Sequence, residues 1–141
     1  MPRLTVGIKV KGVREVAQNL GIAQNDIKRV AGEAMYDVGK QIIEEAKVQC
    51  PVDTGALRNS AILTPPVAEA DGVLVTGGFG TGDVVNPKSG VATEQYAVPV
   101  HERLDVHHPT GKAKFLEDAA YAARDELERE VVKRVARLVG R

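Results

Sequence analysis

Pro51-Val52-Asp53-Thr54-Gly55-Ala56-Leu57-Arg58-Asn59-Ser60 joins a long helical pattern to a strand-like run, and its reading decides the fold. Pro51 has no N–H to continue a helix and pushes Cys50 out of the αR region, so the preceding helix ends here. Asp53 or Thr54 can offer a side-chain oxygen to cap a fresh short turn, which accommodates the small Gly55 and Ala56. Arg58 is then expected to project outward, with Asn59 and Ser60 leading into a strand. No nucleophile–base pair and no metal-ligand spacing occurs in the segment. It predicts a structural corner and a contact surface.

Upstream of the corner, Leu4, Val6, Ile8 and Val10 alternate with Thr5, Gly7, Lys9 and Lys11, the period of a half-buried strand. Residues 13–20 predict a short helix ended by Gly21. From about Asn25 the period changes, and Ile27, Val30, Ala31, Ala34, Val38, Ile42 and Ala46 fall on one helical face. Asn25 or Asp26 is the expected N-cap. Gly32 and Gly39 each cost that helix about 1 kcal/mol relative to alanine. Either a neighbouring element approaches the backbone there, a second helix for instance, or they are tolerated weak points.

Downstream, Ser60–Val67 and Val73–Phe79 predict a hairpin around Asp71-Gly72, with Pro65 and Pro66 confining the first strand to an edge. Residues 77–93 carry Gly77, Gly78, Gly80, Gly82 and Gly90 and are expected to form a flexible loop that orders against a partner. A third strand is expected over about 94–100. Residues 112–139 predict one last helix, with Asp125–Arg129 and Glu130–Arg134 as i,i+4 pairs. Lys133, Arg134, Arg137 and Arg141 crowd its end, where the helix dipole favours cations. The fold expected is one α+β domain over 1–141. A small antiparallel or mixed sheet of about four strands packs on a long N-terminal helix and the C-terminal helix.

Composition narrows the function. Hydrophobic residues make up 43% of the 141-residue chain but aromatics only 4%, so Val, Ile, Leu and Ala must build the core, and neighbouring subunits can help stabilise it. Nineteen basic residues balance nineteen acidic ones, which gives no global attraction to nucleic acid. The single cysteine, Cys50, admits no internal disulfide and lacks an activating neighbour in sequence, so packing is its expected role. No apolar run approaches a membrane span, and the reading is of a soluble chain.

The densest polar cluster is His101-Glu102-Arg103-Leu104-Asp105-Val106-His107-His108. His101, Glu102, His107 and His108 are ligand types for zinc or manganese, which makes a metal-dependent enzyme the rival reading. The spacing matches no metal motif, however. Gly77–Gly82 is followed by Asp83-Val84, which breaks both phosphate-loop fingerprints. The basic end at 129–141 supports a further alternative, a DNA-binding module. The chain is expected not to be an enzyme, with no catalytic, cofactor or metal residues.

The sequence resembles a family of tailed-bacteriophage proteins. A long helix, the stretch from Pro51 to Ser60, strands, then Tyr96, Ala97, Val100, His101 and Glu102, then Gly111 to Glu117 with Phe115 and Leu116, and a C-terminal helix are similar to the neck, tail-completion or minor-capsid proteins that join head to tail. The similarity runs from about residue 25 to the C-terminus, and the N-terminal strand also fits. The resemblance implies a virion neck subunit, made in the host cytoplasm and assembled as a homo-oligomeric ring, six-fold by preference and twelve-fold as an alternative. Its partners would be connector or portal-side proteins and tail-terminator or tail-tube proteins, with non-specific DNA contact in the channel and no membrane. Asp53, Thr54, Gly55, Leu57, Arg58, Tyr96, Glu102, Gly111, Phe115 and Leu116 would form the corner and interface. Glu102 is expected to pair with Arg58 or Lys112.

Overall fold

The computed structural model describes residues 4–51, 55–80, 84, 86–102 and 114–140, apart from the side chains of Glu94 and Tyr96. Among the described residues ten elements follow one another: β1 (Leu4–Lys11), α1 (Val13–Leu20), α2 (Gln24–Gln49), α3 (Ala56–Asn59), β2 (Ile62–Leu63), β3 (Val67–Glu69), β4 (Gly72–Phe79), α4 (Thr93–Glu102), α5 (Phe115–Ala122) and α6 (Arg124–Val139). The class is α+β, with an antiparallel sheet set against the long α2 and the C-terminal helix.

β4 is the centre of the sheet. β1 pairs along one side of it, from Leu4 opposite Phe79 to Lys11 opposite Gly72. β2 and β3 share the other side, divided by Pro65 and Pro66, so they act as one interrupted edge. Prolines cannot donate to a ladder, and a side chain bridges part of the gap. Thr64 Oγ1 donates to the Thr76 carbonyl at 3.0 Å and accepts from the Thr76 N–H at 3.1 Å.

The alternation in β1 buries Leu4 and Ile8 and exposes Thr5, Gly7 and Lys9. α1 ends at Gly21, whose φ of 66° is the left-handed stop. Its start is capped from afar: Asp71 Oδ1 accepts the Arg14 N–H at 2.7 Å. The hairpin turn therefore also anchors α1.

α2 runs 26 residues, about 39 Å at 1.5 Å per residue. Its N-cap position falls at Ala23, with no side-chain cap, so neither Asn25 nor Asp26 caps it. The two helical glycines are points of close approach, and the neighbour is the broken edge strand rather than a helix. A Cβ at Gly32 would lie 2.9 Å from Pro66 Cβ, and one at Gly39 would lie 3.1 Å from Leu63. Without them the sheet could not sit so near the helix.

At the corner, α2 stops at Cys50, whose backbone turns extended (ψ 130°), as Pro51 requires. The cap position of α3 is occupied by Gly55, with φ 84°. Asp53 and Thr54 lie outside the described residues. Arg58 is half-buried rather than projecting, and its Nε is buried with no hydrogen-bond partner among the described residues. Cys50 is fully buried, and desolvation pushes its thiol up to about 12 in spite of the nearby Arg58 cation. At pH 8 the folded protein should therefore react with iodoacetamide at least about a hundredfold more slowly than the urea-unfolded chain. Comparable rates would place the thiol in solvent.

Three expected elements differ. Residues 93–102 form helix α4, not a strand, although Pro99 lies inside it and leaves one backbone bond unmade. Helical spacing puts buried Ala97, partly buried Val100 and buried His101 on one side, which a period of two could not do. The expected final helix is two, because Ala123 (φ −92°, ψ −1°) separates α5 from α6. Lastly, the expected loop begins later than residue 77: Gly77 and Gly78 belong to β4, as the overlapping expectation of a strand to Phe79 has it, and a Cβ at Gly77 would lie 2.9 Å from Ile43 Cδ1. Further along, residues 86–91 close on themselves through Gly90 N–H to Asn86 O at 2.8 Å and Asn86 N–H to Val91 O at 2.9 Å.

The main core joins Met35, Val38 and Ile42 of α2 to Val73, Val75 and Phe79 of β4 and to Phe115, Leu116 and Ala119 of α5. A smaller cluster of Val13, Ala17 and Ile27 sits under the end of α6. Among the described residues no helix is long and apolar enough to cross a membrane.

Candidate functional site

β1 is the outer strand on its side of the sheet, with β4 as its one strand partner among the described residues. Along its other side runs a groove of about 650 Å³. Leu4, Val6 and Ile8 of β1 form one wall. Leu116 and Ala120 of α5 and Leu127 of α6 form the other, and Ile42 lies between them. His101, Glu102, Lys114 and Glu117 close one end of the groove.

That end is built around His101, which is only 3% exposed. Its Nε2 accepts the Glu117 N–H at 3.2 Å, which leaves the ring proton on Nδ1 to be donated to Glu102 Oε1 at 2.7 Å. The Glu117 amide belongs to the first turn of α5, so the imidazole meets a donor that the helix itself cannot satisfy. Phe115 stands edge-on to His101 at 5.0 Å and to Phe79 at 5.1 Å between ring centroids. The end of α4 and the start of α5 are tied together here. Lys114 N–H donates to the His101 carbonyl at 2.7 Å, and the Lys114 ammonium bonds Glu102 Oε2 and lies 3.5 Å from Glu117. Lys114 holds a left-handed backbone, φ 59°.

The Lys114 ammonium, and then the His101 ring, hold the Glu102 carboxyl below its ordinary 4.5. Glu102 in turn raises Lys114. Elsewhere, Arg134 holds Asp37 below 3.8 by a hydrogen bond of 2.8 Å. A depressed carboxyl stabilises the fold fully above its unfolded pKa and loses that contribution as pH falls through the folded value. The denaturant midpoint should therefore decline from about pH 5 to about pH 3, and Glu102→Gln should flatten part of the decline. An identical slope in the variant would remove Glu102 from this account.

The structure brings together Glu102, Phe115 and Leu116 of the sequence-identified residues. Leu57 is buried in the same core, and α3 packs against α4, so the corner and the second block meet although far apart in sequence. Ser60 fastens the corner to the end of β4, with its Oγ accepting the Gly80 N–H at 2.8 Å. Gly55 and Arg58 stay at the corner, and Glu102 pairs with Lys114 rather than Arg58. Asp53, Thr54, Gly111 and Lys112 lie outside the described residues, as does the side chain of Tyr96. His107 and His108 do too, so the proposed metal cluster is represented only by His101 and Glu102, whose polar atoms already serve one another, Lys114 and Glu117. Among the described residues no group of three ligand-type side chains could hold a metal.

Sequence reasoning had Lys114 and Glu117 only as members of the block from Gly111 to Glu117, and it missed β1 and Tyr121, which also line the groove. Lys114 and Glu117 stand three apart at a helix start, which is a usable signal. The β1 wall had none, because pairing partners are not written in a strand. No protein-family model, curated protein or solved structure matches the chain.

Proposed function

We propose that this protein is a structural ring subunit of the neck of a long-tailed phage or phage-like particle, joining the head connector to the tail tube. The observation that carries the proposal is the groove, part apolar and part charged, beside the side of β1 that has no strand partner among the described residues. An exposed strand edge presents a row of backbone donors and acceptors, and a neighbouring subunit can complete it. The resemblance of the segment from Pro51 to Ser60 and of the block around His101 supports the same reading. The His101–Glu102–Lys114 cluster ties the end of α4 to the start of α5, which keeps the groove's end in shape rather than performing chemistry.

A ring interface of this kind needs at least about 1,000 Å² of buried surface, more than an incidental contact supplies. Light scattering of the protein alone, with purified connector protein and with tail-tube protein should give a ring-sized mass in at least one of the three samples. A lone-subunit mass in all three would overturn the proposal.

A further inference from the structure

α6 packs on the rest of the molecule through Leu127, Val131, Val135 and Leu138. Its opposite side is bare. Val132 is 62% and Val139 53% exposed, with exposed Ala136 between them. The charges on this side are largely segregated: Asp125 and Glu128 come first, with Arg129 the one cation beside them, and Lys133 and Arg137 come later. Among the described residues none of these four makes an ion pair. The inner-flank residues Glu130 and Arg134 are joined to one another, and Arg134 also to Asp37. A shallow depression of about 560 Å³ lies along the same stripe, between Asp125, Glu128, Arg129, Val132 and Lys133.

We propose that two copies of this chain pair antiparallel through the outer side of α6. Reversing the helix places its acidic half opposite the basic half of its partner, so the surface is complementary to itself. A parallel pairing would set like charges together. In antiparallel register Glu128 faces Lys133 and Asp125 faces Arg137. The stem of Arg129 covers Val132, and two-fold symmetry repeats every contact. This surface lies away from the β1 groove, and the inference does not depend on the neck reading.

A charge exchange tests it. Asp125→Lys with Glu128→Lys makes the stripe wholly basic, and Lys133→Glu with Arg137→Glu makes it acidic apart from Arg129. All four positions are exposed, so both variants should keep the circular dichroism of the parent. At low salt and rising concentration the wild-type particle should double in mass. Each variant alone should self-associate at least about tenfold more weakly, and an equimolar mixture of the two should pair again. A wild type whose mass never doubles would overturn the proposal, as would a variant that pairs like the parent or a mixture that does not pair.

Discussion

Replacing Phe115 by alanine should cost the fold about 3–5 kcal/mol, which is much of what holds a domain of this size together. Phe115 is fully buried at the first position of α5, and its ring edge meets both Phe79 and His101. Truncation opens a cavity at the junction of α5, β4 and α4. It also removes two aromatic contacts, each worth about 0.5–1.5 kcal/mol beyond area. The chain has only two phenylalanines, three tyrosines and no tryptophan, so few large side chains are at hand to fill the space. Urea titration should show a lower midpoint with an unchanged slope. Phe115→Leu should recover more than half of the loss, since it restores most of the volume. A cost for alanine below about 1 kcal/mol would mean that α5 does not rest on this ring.

Gly72→Ala should be comparably damaging, by about 3 kcal/mol or more, although it adds a single methyl group. A Cβ at Gly72 would fall on the carbonyl oxygen of Val10 in the neighbouring strand. That contact is with backbone, so no rotamer change can relieve it. The paired end of β1 and β4, Lys11 opposite Gly72, would have to part. Asp71, which holds the first turn of α1, would move with it. Amide exchange should then speed up together in β1, in α1 and in the first half of β4. If protection falls at position 72 alone, the strands have parted without disturbing α1, and the coupling through Asp71 is refuted.

Where one segment's own pattern decided its conformation, the sequence was sufficient. The alternation of Leu4, Val6, Ile8 and Val10, the stripe from Ile27 to Ala46, the stop at Gly21 and the break at Pro51 all survive in the structure. Tertiary demands overrode local signals elsewhere. Tyr96 and Val98 have strand propensity, yet the core required Ala97, Val100 and His101 on one side, which a helix delivers, in spite of Pro99, and a strand could not. Gly77 fell within both a strand pattern and a loop pattern, and β4 takes it because a glycine leaves room for Ile43. The candidate site was legible in pieces. Glu102, Phe115 and Leu116 stood out, whereas the wall provided by β1 depends on a pairing about seventy residues away in sequence, which no local pattern encodes.

Because every pairing in the sheet runs through β4, the chain has no partial sheet to settle into before residues 72–79 exist. β1 leaves the ribosome before β4 and must wait about sixty residues for its mate, with its alternating apolar side chains uncovered meanwhile. Synthesis at about 5–20 residues per second makes that interval several seconds long. Lys9 and Lys11 on the opposite side of the strand are then the gatekeepers against premature aggregation.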